Sequence, residues 1–266
     1  MRRRHLSTDL TPLWDRPETA QFWPQDYGRV LLDEVDSTMA QARRIAPTAA
    51  GHTWIMAKRQ TAAHGRRGRP WAAPDGNFAA TLLLRVGGDP ARAALRSFLM
   101  AVALRQTLAM SVAGDRLANK WPNDVLLAGG KVAGILLESN GQGGQVDFLS
   151  IGVGVNLAAA PAPDQVEAGA FRPTALADHG ASVSPQDFLF WLASHFADQE
   201  RQFREFGFDP IRRSWLAHAA RLGEVITART MRDEMTGTFD TVDADGNLVL
   251  LTASGRTAIA AADVYF

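Results

Sequence analysis

The order in which strand-like and helix-like segments follow one another constrains this chain more than any single motif does. Arg29 to Val35 reads as a strand, and Asp36-Ser37-Thr38 offers side-chain oxygens that can take a free amide of the first turn of a helix running to about Ile45. Thr53 to Lys58 and Phe78 to Val86 read as two further strands, the latter with the apolar run Leu82, Leu83, Leu84. Between Ala91 and Val112, residues Leu95, Phe98, Leu99, Val102, Leu108 and Val112 recur near the helical period. That spacing predicts one long helix with a buried stripe, stopped at Gly114. From Val125 the pattern turns to hairpins: Val125 to Leu127 and Lys131 to Glu138 flank the turn Gly129-Gly130, and Gln145 to Asn156 follows as another strand. Gly152 and Gly154 alternate there with Ile151, Val153 and Val155, and glycines so placed indicate close approach by a ligand or a neighbouring chain. These elements predict an α+β fold, a mixed/antiparallel sheet with helices packed on it.

The flanks read differently. Residues 1–28, with Pro12, Pro17 and Pro24 among Trp14, Phe22 and Trp23, are expected to form an irregular arm whose aromatics pack on the body. Ala158 to Ala170 reads as a surface loop, Pro185 to Phe206 as a helix with Phe188, Leu189, Leu192, Phe196 and Phe203 on one face, and Ile211 to Ala219 as a shorter helix. After Gly223, Val225 to Ala228, Gly237 to Val242, Leu248 to Thr252 and Thr257 to Ala260 alternate with turns such as Asp245-Gly246-Asn247. A chain of 266 residues thus divides into an arm (1–28), a large unit (29–220) and a small all-β barrel (221–266), which suits the usual size of domains.

Composition removes several chemistries. Lysine plus arginine total 28 and aspartate plus glutamate total 28, so the summed field gives no support for bulk capture of nucleic acid or acidic membrane. With no cysteine, thiol nucleophiles, disulfides, thiolate zinc sites and iron–sulfur clusters are all excluded. His5, His52, His64, His179, His195 and His218 show no metal-ligand spacing, and no Gly-x-Ser-x-Gly elbow is present. No run of about 18 apolar residues occurs, so the expectation is a cytoplasmic protein without a membrane span.

Three short segments concentrate reactive groups. His64-Gly65-Arg66-Arg67-Gly68-Arg69-Pro70-Trp71 packs three arginines and two glycines into eight residues. Glycines let backbone amides converge on an anion and guanidinium groups add fixed fork-shaped donors, so an anion clamp is one reading. An exposed basic loop, with or without nucleic acid on it, is the other. Lys120-Trp121-Pro122-Asn123-Asp124 and Lys131-Val132-Ala133-Gly134-Ile135 flank the hairpin. Asn123 and Asp124 suit a metal or a purine and Lys131 a phosphate, whereas singly they read as turn chemistry and a solvated lysine. Ile151-Gly152-Val153-Gly154-Val155-Asn156 is by itself weak evidence for a nucleotide.

In order, Asp36-Ser37-Thr38, Gln60 with the loop His64 to Trp71, Lys120 to Asp124, Lys131 to Ile135 and Ile151 to Asn156 resemble the biotin protein ligases across roughly Val30 to Leu157. The family pattern is Ser-Thr-Asn, then Gly-Arg-Gly-Arg-Arg-Gly-Arg-x-Trp, Lys-Trp-Pro-Asn-Asp, Lys-x-x-Gly-Ile-Leu and Gly-x-Gly-x-Asn. The resemblance implies a class II aminoacyl-tRNA synthetase-like catalytic domain, the biotin/lipoate ligase fold, with a small C-terminal SH3-like barrel. It also implies the reaction: ATP and biotin give biotinyl-5'-AMP and pyrophosphate, with Mg²⁺, and biotin then passes to a lysine of a biotin carboxyl carrier domain. Carried over by position, Ser37, Thr38, Met39, Gln60, His64, Gly65, Gly134, Ile135 and Gly154 belong to the biotin site. Arg66, Arg69 and Lys131 would act on the reacting carboxylate and phosphate. Arg67, Trp71, Asn123, Asp124 and Asn156 would serve the nucleotide with Arg69 and Lys131, and Asp124 the Mg²⁺.

The chain departs from that pattern twice, with Met39 where the family has Asn and Ala63-His64 where it has Gly-Arg. Histidine supplies no permanent charge at pH 7. A DNA-binding head needs on the order of 60 residues, and only about 28 precede the first strand, so a monofunctional ligase without operator binding is expected, as monomer or homodimer. A lipoate or octanoate ligase of the same fold, and a non-catalytic adenylate- or nucleic-acid-binding module, are the competing readings.

Overall fold

The computed structural model describes residues 11–162, 165–166, 171–230 and 233–266. Two sheets organise them. The first has seven strands in the order β1-β2-β3-β7-β6-β5-β4: β1 (Tyr27–Val35), β2 (His52–Gln60), β3 (Phe78–Arg85), β4 (Leu117–Lys120), β5 (Asp124–Leu127), β6 (Gly130–Asn140) and β7 (Phe148–Val155). Only β1 and β2 run parallel, and α1 (Thr38–Ile45) makes their crossover, since parallel neighbours cannot be joined by a tight turn. Every other neighbouring pair is antiparallel.

Both faces of the sheet are covered, which is why its central strands are apolar on both sides. Ile55 and Leu83 point to α1 and pack on Ala42 and Ala46. Trp54, Met56, Leu82 and Leu84 point the other way, into the main core with α3 (Arg96–Leu108) and α4 (Pro185–Phe206). The long helix predicted over 91–112 is instead α2 (Pro90–Ala94), a break at Leu95, and α3, with the stop already at Leu108. At Leu95 the chain tightens, with Phe98 N donating to Leu95 O, and Arg96 turns inward to meet Glu200 of α4 at 2.6 Å. Nor is α3 striped: Phe98 to Leu104 are all buried, because sheet and α4 enclose it. The four-residue β4, which has one strong apolar residue in Leu117, has no counterpart among the predicted strands.

In the arm, Trp14 is buried and stacks edge-on to Trp23, which meets Phe190 of α4, while Phe22 stays half-exposed rather than packing on the body. The residues before 11, with His5, lie outside the described ones.

After α5 (Asp209–Leu216) come β8 (Val225–Arg229), β9 (Glu234–Val242), β10 (Leu248–Thr252), β11 (Gly255–Ile259) and β12 (Asp263–Tyr265). They form an antiparallel sheet in the order β11-β10-β9-β8-β12, curved by a bulge between Val249 and Leu250. At its Asp243–Asn247 turn Gly246 has φ 83° and lies against Phe98 and Leu95, and its carbonyl accepts from the Trp121 indole N–H at 3.1 Å. The small sheet is therefore seated on the large unit.

Candidate active site

The three segments singled out in the sequence converge on one cavity of about 500 Å³. That size suits a small organic ligand. Its floor is the flat centre of the sheet, where Gly134 of β6 pairs with Gly154 of β7 and Leu136 with Gly152. The absence of side chains makes room for two residues of this same chain, not for a neighbouring one. A Cβ on Gly154 would come within 2.5 Å of Trp71 Cε2, and one on Gly152 within 2.8 Å of Met39 Sδ, so the ring and the thioether occupy the space the glycines leave.

The loop between β2 and β3 forms one wall. His64 bridges Pro70, Gly65 N donates to Arg69 O at 2.7 Å, and Trp71 N donates to Ala63 O at 3.0 Å, so the arginines sit on a small closed turn. Arg67 (φ 58°) and Gly68 (φ 72°) are both left-handed at its tip, a conformation that costs a non-glycine residue about 1 kcal/mol or more. Arg66 and Arg69 line the cavity; Arg67 does not, and its guanidinium meets Asp263 at the rim, 2.5 Å away. Burial lowers the Arg66 pKa, with Asp263 opposing that shift.

At the start of α1 the expected cap is absent. The Ser37 hydroxyl does not cap the helix; Gln60 Oε1 accepts instead from Thr38 N at 2.8 Å and from Thr38 Oγ1 at 3.1 Å, and Thr81 Oγ1 donates to Thr38 Oγ1 at 2.8 Å. Gln60 thereby fixes the wall and keeps its amide NH₂ for a ligand, and the single Thr38 proton is already committed.

On the hairpin side Lys131 Nζ lies 2.7 Å from Asp124 Oδ1 and 5.5 Å from the Trp71 ring centroid. Lys120, buried behind it, stands 3.7 Å from Asp124 Oδ2 and over the Phe171 ring. Burial pushes the Lys120 ammonium pKa down, and Asp124 counteracts the shift. Both asparagine amides are tied to the backbone: Asn123 Nδ2 gives one of its two protons to Ile135 O at 2.6 Å, and Asn156 Nδ2 donates to Thr174 O at 3.1 Å and to Lys131 O at 3.4 Å. They line the cavity as struts. Among the described residues no group of three or more His, Cys, Asp or Glu could hold a metal.

Three contributors have no sequence signal in any motif. Pro161, Gln165 and Val166 line the cavity where only a surface loop was expected, and Phe171 joins them just past its end; residues 163, 164 and 167–170 lie outside the described ones. Glu138 of β6 takes His64 Nε2 at 3.4 Å and Arg43 at 3.6 Å. Asp263, from the small sheet, stands at the rim.

Comparison with known proteins places this arrangement. Residues 32–156 match the biotin/lipoate A/B protein ligase family and residues 222–266 the biotin protein ligase C-terminal domain. A biotin–[acetyl-CoA-carboxylase] ligase of Paracoccus denitrificans is 49% identical over 238 residues, 89% of this chain and 99% of that one. The bifunctional ligase/repressor BirA of Bacillus subtilis is 30% identical over 88% of this chain and 73% of its own length. Among solved structures, the biotin protein ligase of Aquifex aeolicus in complex with biotin and ATP superposes with a TM-score of 0.75 at 23% identity, over 89% of this chain and 97% of that one, and so shares the fold. The chain belongs to the biotin/lipoate A/B protein ligase family. Within it, the C-terminal match and the Paracoccus relative set it among the biotin protein ligases, and the expected mixed sheet with helices and separate antiparallel C-terminal sheet are both present.

Proposed function

We propose that this chain is an ATP-dependent biotin protein ligase that activates biotin as biotinyl-5'-AMP and transfers it to a lysine of a biotin carboxyl carrier domain. The observation that carries this reading is that one cavity joins a flat glycine and aromatic floor to three cations, Arg66, Arg69 and Lys131, with no nucleophilic thiol in the chain. Such a site fits a reaction whose demand is to bring two anions together.

In the first step a biotin carboxylate oxygen attacks the α-phosphorus of ATP and pyrophosphate leaves. In the second the acceptor amine attacks the carbonyl of the mixed anhydride and AMP leaves. Ser37 and the Gln60 amide are assigned to the polar end of biotin, with Met39, Gly134, Ile135 and Gly154 forming its apolar seat. Lys131, aimed by Asp124, is assigned to the carboxylate and α-phosphate as charge moves onto the leaving group. Arg66 and Arg69 close over the adenylate and exclude water from it. Arg67 is assigned outside the nucleotide contacts, to the rim.

ATP brings Mg²⁺ as part of the substrate complex. One cavity carboxylate, Asp124, fits a cation that keeps phosphate and water as its other ligands, and the metal would supply charge neutralisation at the phosphates. No helix among the described residues is long and apolar enough to cross a membrane. A cytoplasmic location and a monomeric or homodimeric state are part of the proposal. The units 29–220 and 221–266 are taken as its catalytic and C-terminal domains.

The test is biotin-dependent exchange of pyrophosphate into ATP, followed by transfer to a carrier domain. Exchange that depends on lipoate and not on biotin overturns the substrate assignment.

A further inference from the structure

Asp263 is a charge at the mouth of the cavity that neither half-reaction uses. It opens β12 of the small sheet, far in sequence from the loop between β2 and β3, yet its carboxylate gathers all three arginines of that loop. Arg67 Nη1 is 2.5 Å away, Arg69 Nη2 3.4 Å and Arg66 Nη1 3.8 Å. Its side chain is 21% exposed, and it lines the same cavity as Arg66, Arg69 and Lys131.

Three guanidinium groups on one pair of oxygens is how a protein holds a phosphate, here with a carboxylate of its own in the phosphate's place. The division of labour among the arginines supports this. Arg67, left-handed and outside the cavity, grips Asp263, whereas Arg66 and Arg69 face both Asp263 and the interior. Among the charged residues that line the cavity, three cations stand against two carboxylates, and Lys131 already faces one of the carboxylates, Asp124. A nucleotide phosphate entering beside Asp263 meets a like charge and arginines that are partly occupied.

We propose that Asp263 is an internal anion that competes with the nucleotide's phosphates for Arg66 and Arg69, so that the C-terminal sheet sets the affinity for ATP. The assignment of the site to ATP rests on the function proposed above. Asp263 is in this sense a positioning residue: it acts on substrate through the arginines.

The experiment compares wild type with Asp263→Asn, Asp263→Ser and Asp263→Glu as full chains, their folding checked by circular dichroism. Calorimetric titration with inorganic pyrophosphate needs no turnover. The neutral variants should bind pyrophosphate about three- to tenfold more tightly, the range for one partly screened charge, and Asp263→Glu should bind like wild type. In pyrophosphate exchange the KM for ATP should fall by a similar factor and the KM for biotin stay within about twofold. Folded neutral variants with unchanged or weaker pyrophosphate binding overturn the proposal, even if wild type catalyses exchange. Tighter binding in a protein that never catalyses biotin-dependent exchange upholds the competition and overturns the ligase reading instead.

Discussion

Lys131 Nζ lies 2.7 Å from Asp124 Oδ1, although the two residues do not face each other across the hairpin. Asp124 is opposite Gly134 and Lys131 opposite Leu126, with the register broken between Val125 and Leu126. The break re-aims the lysine along the strand, a common use of a bulge beside a site. The carboxylate holds a cation on a short leash beside a floor whose lining of glycine and apolar residues offers it no other charged partner.

Replacing Lys131 by alanine should cut the rate of biotin adenylation by on the order of 10² to 10³, as for the loss of one preorganised charge-stabilising donor. Pyrophosphate exchange at saturating biotin and ATP measures it, and an unchanged rate removes Lys131 from the chemistry.

Gly154 and Gly152 should respond differently to alanine. At Gly154 the new methyl would sit 2.5 Å from the rigid Trp71 ring, so the ring and the loop behind it must move; at Gly152 it would meet the flexible end of Met39. Overpacking of the first kind costs about 1–3 kcal/mol, or about five- to 150-fold in biotin affinity. Gly152→Ala should cost less than about threefold, since the thioether can shift. Equal losses in a biotin titration would mean that Trp71 is not held by the bare strand.

His64 stands at the position of a family arginine and 3.4 Å from Glu138. His64→Arg makes that pair a permanent one at a half-exposed site, worth roughly 0.5–1 kcal/mol, so release of adenylate should slow about two- to fivefold. A burst assay of free biotinyl-5'-AMP reads this directly; faster release would show that Glu138 does not anchor the loop.

Arg96 and Glu200 form a two-pronged ion pair, Nε to Oε2 at 2.9 Å and Nη2 to Oε1 at 2.6 Å, buried between α3 and α4. Glu200→Ala strands a buried guanidinium, which costs about 3–5 kcal/mol and lowers Tm by on the order of 10 °C in a chain of this size. Replacing both residues by apolar ones should recover much of it. A single variant that melts like wild type would show the pair to be idle.

Most of the fold was legible because its strands obey simple periods and its turns carry glycine. Ile151, Val153 and Val155 against Gly152 and Gly154 is a period-two signal, and Gly129-Gly130 a turn signal. What escaped was decided by surroundings. Leu117–Lys120 becomes a strand only because β5 lies beside it, and the helix breaks at Leu95 where the buried Arg96 must reach a partner 104 residues away. The site divides in the same way. Ser37, Gln60, Arg66, Trp71 and Lys131 lie in compact motifs and do converge, but Asp263 gives no local sign of its place, since nothing near it in sequence resembles a site. Arg67 belongs to the arginine run by sequence and to the rim by geometry. Asn123 and Asn156 show the reverse limit, for a motif identifies the residue and only the packed structure tells that its amide is already engaged.

Trp121 and Gly246 join the two sheets by one hydrogen bond, but the apolar cluster beneath them is the larger tie. Trp54, Phe98 and Phe196 of the large unit belong to the same buried cluster as Phe239, Leu248 and Leu250 of the small one. A molecule built this way has no loose bead at its end. Lifting the tail would expose the core around α3, so the tail and the large unit are tied through shared buried surface. Deleting the tail would strip the core as well as the rim, so only point changes at its edge can separate its part in ligand affinity from its part in cooperative folding.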